Sequence, residues 1–472
     1  MFDLLLTQAR KAAFVVRLRP FDPSTPQERS QERYRRIFLT TLASAAARGV
    51  SILATLISVP LTLDYLGTER YALWMTINSF FTMLAFADLG MGNGLLNAVS
   101  EAHGKDDREA ALRYVSSGFF ALSGLAGLLA IGFAIIYPST PWPRVFNVSS
   151  PTAVAEAGLA TAIFVSLFFA SMPLGVSQRV QLGYQEGFIN SLWEGLGHLL
   201  GLGGVVLAVY LKAGLPWLVL ARAGAPALAA LLNSGVLFWG TRPWLRPRWQ
   251  YVTGEATGKI MRLGFLFFVL QLAAALVFSS DNLVAAQVVG PDAVAQYSVP
   301  AQMFNIAPIL LLMGLSPLWP AYGEAIARGD MAWVRRALGR SLALVVVITG
   351  PASILLTLFG ARVVKLWVGP NVTPSFLLLL GLGIWMVMQA LGSAVAMFLN
   401  GVGLIKFQAV MATVMAVSAL VMKVLLARLI GTPGIVWGTL IAYAICVAIP
   451  CLVVIPRLLS TLSQRASQAH AT

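Results

Sequence analysis

Apolar segments of about 20 residues or more recur at near-regular spacing along the 472-residue chain. A helix needs roughly 20 apolar residues to cross a bilayer. A membrane β-barrel would instead show polar and apolar residues alternating inside each segment, and these segments do not alternate. The pattern therefore predicts an all-α polytopic membrane protein with about 12 transmembrane helices. The predicted helices cover 37–63, 71–96, 114–137, 157–177, 188–210, 215–239, 260–287, 293–320, 338–359, 376–400, 408–429 and 433–456.

The composition excludes a soluble protein. Hydrophobic residues make up 58% of the chain and charged residues only 11%, whereas soluble domains have about 25% charged residues. The spacing of the apolar segments also leaves no loop that is long enough for a soluble catalytic or nucleotide-binding domain.

The positive charges predict the orientation. With the N-terminus in the cytoplasm, 24 of the 33 Lys and Arg residues fall on the cytoplasmic side, 5 on the opposite side and 4 within helices. Cytoplasmic loops of membrane proteins carry such an excess, so both termini are predicted to be cytoplasmic. The net charge of +14 is then mainly a topology signal, with attraction to anionic lipid second. Nucleic acid is not an expected partner.

Two halves of the chain echo each other at a constant shift of 223 residues. The segment from Asn97 to Arg113 resembles the segment from Pro320 to Arg336. An even number of helices in each repeat predicts two six-helix bundles related by a pseudo-two-fold axis along the membrane normal, with a central cavity. The matched pairs are Glu101 and Glu324, Ala102 and Ala325, Asp107 and Asp330, Arg113 and Arg336, and Gly67 and Gly290.

The repeat and the charge pattern together predict the domain organisation. Residues 1–36 are predicted to be a cytoplasmic basic tail, in which 1–19 are compatible either with an amphipathic surface helix or with a solvated segment. The N-lobe covers 37–240 and the C-lobe 260–456. A cytoplasmic linker, 241–259, joins them, and 457–472 form a cytoplasmic C-terminal tail.

Several local sequences resemble the polysaccharide transporter family, the O-antigen, capsule and exopolysaccharide flippases of the multidrug/oligosaccharidyl-lipid/polysaccharide exporter (MOP) superfamily. The first is YLGTERYALWMTINSFFTMLAFADLGMGNGLLNAV over 65–99, with its Leu-Gly turn, its Tyr and Trp, and its Asp-Leu-Gly. The others are QRVQLGYQEGFIN over 178–190, FLNGVGLIKFQ over 398–408 and GTPGIVWGT over 431–439. The resemblance spans nearly the whole chain after residue 33; the long polar tail departs from the family pattern.

The resemblance implies a flippase of the bacterial inner membrane. Such a protein moves a polyprenyl-diphosphate-linked oligosaccharide between leaflets by alternating access, for surface polysaccharide biosynthesis. It is a transporter and not an enzyme, and its partners would be the lipid-linked oligosaccharide, membrane lipids and polysaccharide polymerase or export machinery. Two alternatives remain open: a drug/cation antiporter of the same superfamily, and a membrane-embedded glycosyltransferase or polymerase.

Ionisable residues within membrane helices are costly and therefore mark functional sites. Arg48, Arg222 and Lys423 are predicted to bind the diphosphate or an acidic sugar, because guanidinium and ammonium groups pair with phosphate. A structural ion pair of Arg48 with Asp88 is the alternative interpretation. Polar side chains predicted to contact sugar hydroxyls are Gln271, Asn282 and Asn305.

Four further residues are candidates for coupling transport to an ion gradient. Asp88 and Asp281 would bind Na⁺ or a proton, although Asp88 also fits a role in fixing helix ends. Glu194 and His198 share one helix face at a spacing of four residues, which suits either a proton relay or a packing hydrogen bond. Neither a cofactor nor a metal centre is expected beyond such an ion, because the three His residues lie far apart.

Overall fold

The computed structural model describes residues 25–84, 86–146, 148–368 and 372–471, and all regular elements in these ranges are helical. The prediction for residues 1–19 lies outside the described residues. Within the described ranges, eleven helices are long and apolar enough to cross a membrane. The chain is therefore a multi-pass, all-helical membrane protein, as the sequence predicted. It divides into two compact units, Met1–Phe265 (unit 1) and Leu266–Thr472 (unit 2).

Unit 1 contains six long helices and the beginning of a seventh, which runs into unit 2. They are α1 (Pro26–Leu84), α2 (Met91–Gly104), α3 (Arg108–Ile136), α4 (Pro151–Gly183), α5 (Gly187–Tyr210), α6 (Leu215–Gly235) and α7 (Gly254–Val284). Short turns of 3-10 helix at Pro243–Leu245 and Trp249–Tyr251 lie in the predicted linker.

Unit 2 contains the rest of α7 and seven further helices. They are α8 (Pro291–Leu315), α9 (Leu318–Ala327), α10 (Met331–Val368), α11 (Phe376–Val402), α12 (Ile405–Ile430), α13 (Pro433–Tyr443) and α14 (Ile449–Ala471). Single π-helical turns follow α7 at Ala285–Val289 and α13 at Ala444–Ala448.

Helix ends differ from the prediction in several places. Residues 26–36, assigned to the polar tail, form the first turns of α1, and α14 continues through the predicted C-terminal tail to Ala471. The predicted helix over 71–96 is not among the eleven candidate spans. There α1 ends at Leu84 and α2 begins at Met91, after a turn that includes Leu89 at φ 50°.

The matched glycines of the repeat share an unusual backbone conformation. Gly67 interrupts α1 with φ 72° and ψ 174°, and Gly290 precedes α8 with φ 133° and ψ 163°. Residues with a Cβ avoid positive φ, so glycine suits a sharp break at this point. Each half therefore ends its first long helix in the same way.

The repeated loop also has the same local chemistry in both halves. Glu101 bonds Lys105 four residues later at 2.7 Å, and Glu324 bonds Arg328 at the same spacing. In unit 1, Glu101 is also 2.8 Å from the Lys259 ammonium. Partial burial raises the pKa of Glu101, but its bonds to the two lysines outweigh burial and lower that pKa below its usual value.

An aspartate follows this ion pair in each half and caps the next helix. The Asp107 carboxylate accepts a hydrogen bond from the backbone N–H of Ala110 at 2.9 Å, at the start of α3. Asp330 accepts one from the N–H of Trp333 at 3.2 Å, at the start of α10. These bonds satisfy N–H groups that a helix start otherwise leaves unpaired. The 223-residue repeat in sequence is thus a repeat in structure.

Each unit has its own packed core. In unit 1, the wholly buried side chains of Leu95, Val115 and Val176 bring α2, α3 and α4 together. In unit 2, Leu378 on α11 and Ile435 on α13 belong to one cluster of buried side chains. Each unit thus holds its helices in place by its own side chains.

We expect Asp107→Ala and Asp330→Ala each to destabilise the protein by about 1 kcal/mol, the typical effect of removing an N-cap. Asp107→Asn and Asp330→Asn should be close to neutral, since asparagine caps as well as aspartate. Thermal melting of the purified variants measures both. Equal losses in the alanine and asparagine variants would show that the charge, and not the cap, stabilises the loop.

Candidate functional site

Four of the predicted residues come together in unit 1. Arg48 lies on α1, Glu194 and His198 on α5, and Arg222 on α6. The charges of Arg222 and Arg48 both act on the His198 imidazole, as does that of Glu194. Residues from three different helices therefore form one polar group inside the membrane-spanning part of unit 1, which we call the basic cluster.

Small residues on α5 allow this approach. An added Cβ on Gly195 would lie 3.7 Å from the Cα of Ala47, next to Arg48. An added Cβ on Gly201 would lie 3.5 Å from the carbonyl oxygen of Ala221, next to Arg222. Both are ordinary van der Waals distances. The closer approach is that of α6, because an added Cβ on Gly204 would lie 2.9 Å from the Ala221 Cβ, and small residues allow such packing in membrane helices.

Glu194 and His198 do not form a hydrogen bond. The His198 Nε2 atom lies 3.9 Å from Glu194 Oε1, beyond hydrogen-bond distance. The other ring nitrogen, Nδ1, is buried and has no hydrogen-bond partner among the described residues. The packing hydrogen bond considered from the sequence is absent, and the imidazole keeps one buried nitrogen available.

Neither guanidinium of the basic cluster is paired. Over the described part of the chain, Arg48 and Arg222 have neither a side-chain hydrogen bond nor an ion pair. Arg48 is exposed on α1 and Arg222 is half-buried on α6. A guanidinium has five N–H donors and no acceptor. Two unpaired guanidiniums close to one imidazole suit an anion with several oxygens.

The third predicted substrate cation, Lys423, has a different environment. It lies on α12 in unit 2 with 0% of its surface exposed. Its ammonium is 2.5 Å from Asp281 Oδ1 and 2.6 Å from the Val277 carbonyl oxygen. Lys423 is therefore held inside the unit by α7 and is not available to a substrate.

Close packing of α13 against α12 fixes Lys423 in this place. An added Cβ on Gly438 would lie 2.5 Å from the Lys423 backbone nitrogen. Only glycine leaves room for such an approach. The GTPGIVWGT sequence, which carried part of the family resemblance, thus positions the buried lysine.

The predicted sugar-contacting residues lie at the start of unit 2. Gln271 and Asn282 are on α7 and Asn305 is on α8; Asn282 is exposed and the other two are half-buried. None of the three side chains bonds another described residue. Their donors and acceptors are free for a polar ligand.

Asp88 lies at a helix start, and the arginine near it is Arg179 and not Arg48, the partner considered from the sequence. Its carboxylate accepts hydrogen bonds from the N–H groups of Gly90 at 2.8 Å and Gly92 at 3.3 Å. The nearby charge is that of Arg179 on α4, whose Nη1 also donates to Asn93 Oδ1 at 2.9 Å. Asp88 thus holds the turn that precedes α2.

Sequence reasoning counted Arg179 and Arg242 only as loop charges, and both are structural anchors of unit 1. The Arg242 guanidinium makes two bonds to Glu186, at 2.6 and 2.8 Å, and lies 4.1 Å above the Tyr184 ring. Glu186 and Tyr184 both belong to the QRVQLGYQEGFIN segment. The sequence feature that could have predicted this ion pair is the acidic Glu186 in a loop on the same predicted side of the membrane as the basic linker that contains Arg242.

Unit 2 also contains a partly open pocket of about 730 Å³, lined by α7, α10, α11, α12, α13 and α14. Its walls are almost entirely apolar, with Trp385, Met411 and Val277 among them. The amide oxygen of Gln389 is buried there without a partner in the described part of the chain. These walls do not suit a diphosphate, so the basic cluster of unit 1 is the better candidate for an anion site.

The described residues thus form an all-helical membrane protein in two units, and unit 1 contains two arginines that pair with no described residue. The family model described as "Polysaccharide biosynthesis protein" matches residues 38–325, more than half of the chain. The chain therefore belongs to that family, as the resemblance predicted.

Relatives and solved structures agree with this assignment. A "Putative O-antigen transporter" of Salmonella typhimurium is 21% identical over 395 residues, covering 83% of this chain and 90% of the relative. A "Putative O-antigen export protein" of Yersinia pseudotuberculosis is 20% identical, covering 60% of this chain and 64% of the relative. These relatives are named as transport proteins and not as enzymes.

The fold is that of the MATE transporters. The crystal structure of MATE in the bent conformation matches with a TM-score of 0.77 and 16% identity, covering 92% of this chain and 97% of the other. A MOP superfamily transporter from Pyrococcus furiosus matches with a TM-score of 0.74 and 16% identity, covering 91% and 96%. The chain therefore shares the fold of these two solved structures.

We expect Asp88→Asn to accumulate normally and to remain functional, because asparagine Oδ1 can still accept the Gly90 N–H bond, the shorter of the two that Asp88 accepts at the start of α2. Asp88→Ala should lower the amount of folded protein. Membrane protein levels and export of the transported compound measure the two effects. A stable Asp88→Asn protein without export would show that the carboxylate charge, and not the turn, is what Asp88 contributes.

Proposed function

We propose that the protein is a flippase that moves a polyprenyl-diphosphate-linked oligosaccharide across the bacterial inner membrane. The family assignment and the O-antigen transport named for the relatives support a polysaccharide-linked substrate. The observation that carries the proposal is the unpaired Arg48 and Arg222 guanidiniums beside His198.

A diphosphate is the chemical group that best fits these cations. A cation inside a membrane span has a high free-energy cost. It is therefore found where an acidic residue or a ligand can pair with it. Guanidinium binds phosphate through two parallel N–H···O bonds. A lipid-linked diphosphate would supply an anionic partner for the Arg48 and Arg222 guanidiniums, which pair with no described residue. Gln271, Asn282 and Asn305 remain proposed contacts for sugar hydroxyls.

The same proposal gives the orientation and the cycle. The excess of Lys and Arg on one side of the spans supports placing both termini in the cytoplasm. The internal repeat supports alternating access, in which the site opens first to one side of the membrane and then to the other. Membrane lipids and polysaccharide polymerase or export machinery would be its partners, and an Na⁺ or H⁺ gradient is the candidate driving force.

Deletion of the gene in its own host tests the function. The expected result is loss of the surface polysaccharide together with accumulation of the lipid-linked oligosaccharide in the inner leaflet. The sugar composition of the trapped lipid would then name the substrate. Unchanged polysaccharide and lipid pools would overturn the proposal and favour export of small molecules.

We expect Arg48→Ala and Arg222→Ala to abolish complementation of that deletion at normal protein levels. Charged hydrogen bonds contribute about 1.5–3 kcal/mol, so export should fall about tenfold or more. Surface polysaccharide and membrane-inserted protein are measured together.

Arg428→Ala is the matched control, because Arg428 is an exposed arginine near the end of spanning helix α12. It should export normally. If Arg48→Ala and Arg222→Ala disappear from the membrane, the two arginines stabilise the fold and do not bind substrate.

A further inference from the structure

Three oxygen atoms of α7 lie close to the Lys423 ammonium. Asp281 Oδ1 is at 2.5 Å, the Val277 carbonyl oxygen at 2.6 Å and Ser280 Oγ at 3.2 Å. All three oxygens belong to the last turns of α7, and Lys423 reaches them from α12. The second carboxylate oxygen of Asp281 accepts a hydrogen bond from the Tyr297 hydroxyl at 2.8 Å.

These oxygens have the chemistry of a metal-cation site. Carboxylate, carbonyl and hydroxyl oxygens are the ligands that hard cations prefer. In transporters, carbonyl oxygens at irregular points of spanning helices coordinate Na⁺. Here the three oxygens lie within the regular part of α7, and a π-helical turn follows at Ala285–Val289, one helical turn beyond Asp281.

The lysine occupies this site. It donates hydrogen bonds to the Val277 carbonyl oxygen and to Ser280 Oγ, and it forms an ion pair with Asp281 Oδ1, which has no hydrogen-bond partner among the described residues. An ammonium group has three N–H donors and no acceptor, and three oxygens surround it. A diffusible cation entering the same shell would bring a second positive charge against a buried one, at high cost in a medium of low dielectric constant. The shell can therefore hold either the ammonium or a metal cation.

We propose that Lys423 is a tethered cation that permanently fills a monovalent-cation site on α7, so that Asp281 takes up no Na⁺ during transport. Removal of the amine opens a latent Na⁺ site made of Asp281, Ser280 and the Val277 carbonyl. This inference corrects the view of Asp281 as an ion-coupling residue. It does not depend on the identity of the transported substrate.

Sodium binding to the purified full-length protein tests the proposal. Melting temperature and ²²Na⁺ binding are measured while NaCl replaces choline chloride at constant ionic strength. The wild-type protein should show no sodium response that Asp281→Asn removes. Lys423→Met should bind Na⁺ saturably and gain about 2 °C or more in melting temperature, because a ligand that binds only the folded state stabilises it.

Two variants make the result specific. Lys423→Met combined with Asp281→Asn should lose the sodium response, because the carboxylate ligand is gone. Lys406→Met is the matched control, since Lys406 is an exposed lysine on the same helix; it should behave as the wild type. Lys423→Ala serves as a second opening variant if the methionine variant is not recovered.

Three results would overturn the proposal. The first is sodium binding by the wild-type protein that Asp281→Asn removes. The second is a folded Lys423→Met or Lys423→Ala protein that does not bind Na⁺. The third is stabilisation of these variants by acidic pH alone, because then a proton compensates the carboxylate and no cation site exists.

Discussion

An unpaired charge in hydrocarbon has no water to stabilise it, and this constraint organises the structure of the whole chain. Backbone polar groups respond by forming helices, which pair N–H and carbonyl groups within each span. Side-chain charges respond in two ways. Lys423 is surrounded by oxygens of its own unit. Arg48 and Arg222 are not paired with any described residue, so their charge is left for a ligand.

This difference separates residues that look alike in sequence. Arg48, Arg222 and Lys423 are all cations within apolar segments, and each was predicted to bind substrate. Their partners give them different roles, because a cation already surrounded by acceptors cannot bind a phosphate without losing them. Asp88 and Asp281 differ in the same manner. One carboxylate caps a turn at Gly90 and Gly92, and the other neutralises a buried ammonium.

The two halves show how a repeat persists in structure while the functional sites diverge. The loop after the second helix of each half keeps an ion pair at a spacing of four residues and an aspartate cap, at Asp107 and Asp330. These are local interactions that need only neighbouring residues, so the repeat preserves them. The charges inside the spans depend on which helices pack together. Unit 1 accordingly has unpaired arginines, and unit 2 has a paired lysine.

The sequence by itself determined the class of protein, the approximate number of helices, the family and the repeat. The length of the apolar segments, the uneven distribution of Lys and Arg, and the constant 223-residue shift can all be read from the chain without knowing how its helices pack. Helix ends were less predictable: α1 ends at Leu84 and α2 begins at Met91, where one apolar segment was expected to remain helical. Only the tertiary structure decided the partners of each charge. Arg48, His198 and Arg222 are brought together by the packing of three helices, and Lys423 meets Asp281 across 142 positions of sequence. Such distances in sequence carry no local signal, because side-chain pairing depends on how helices cross.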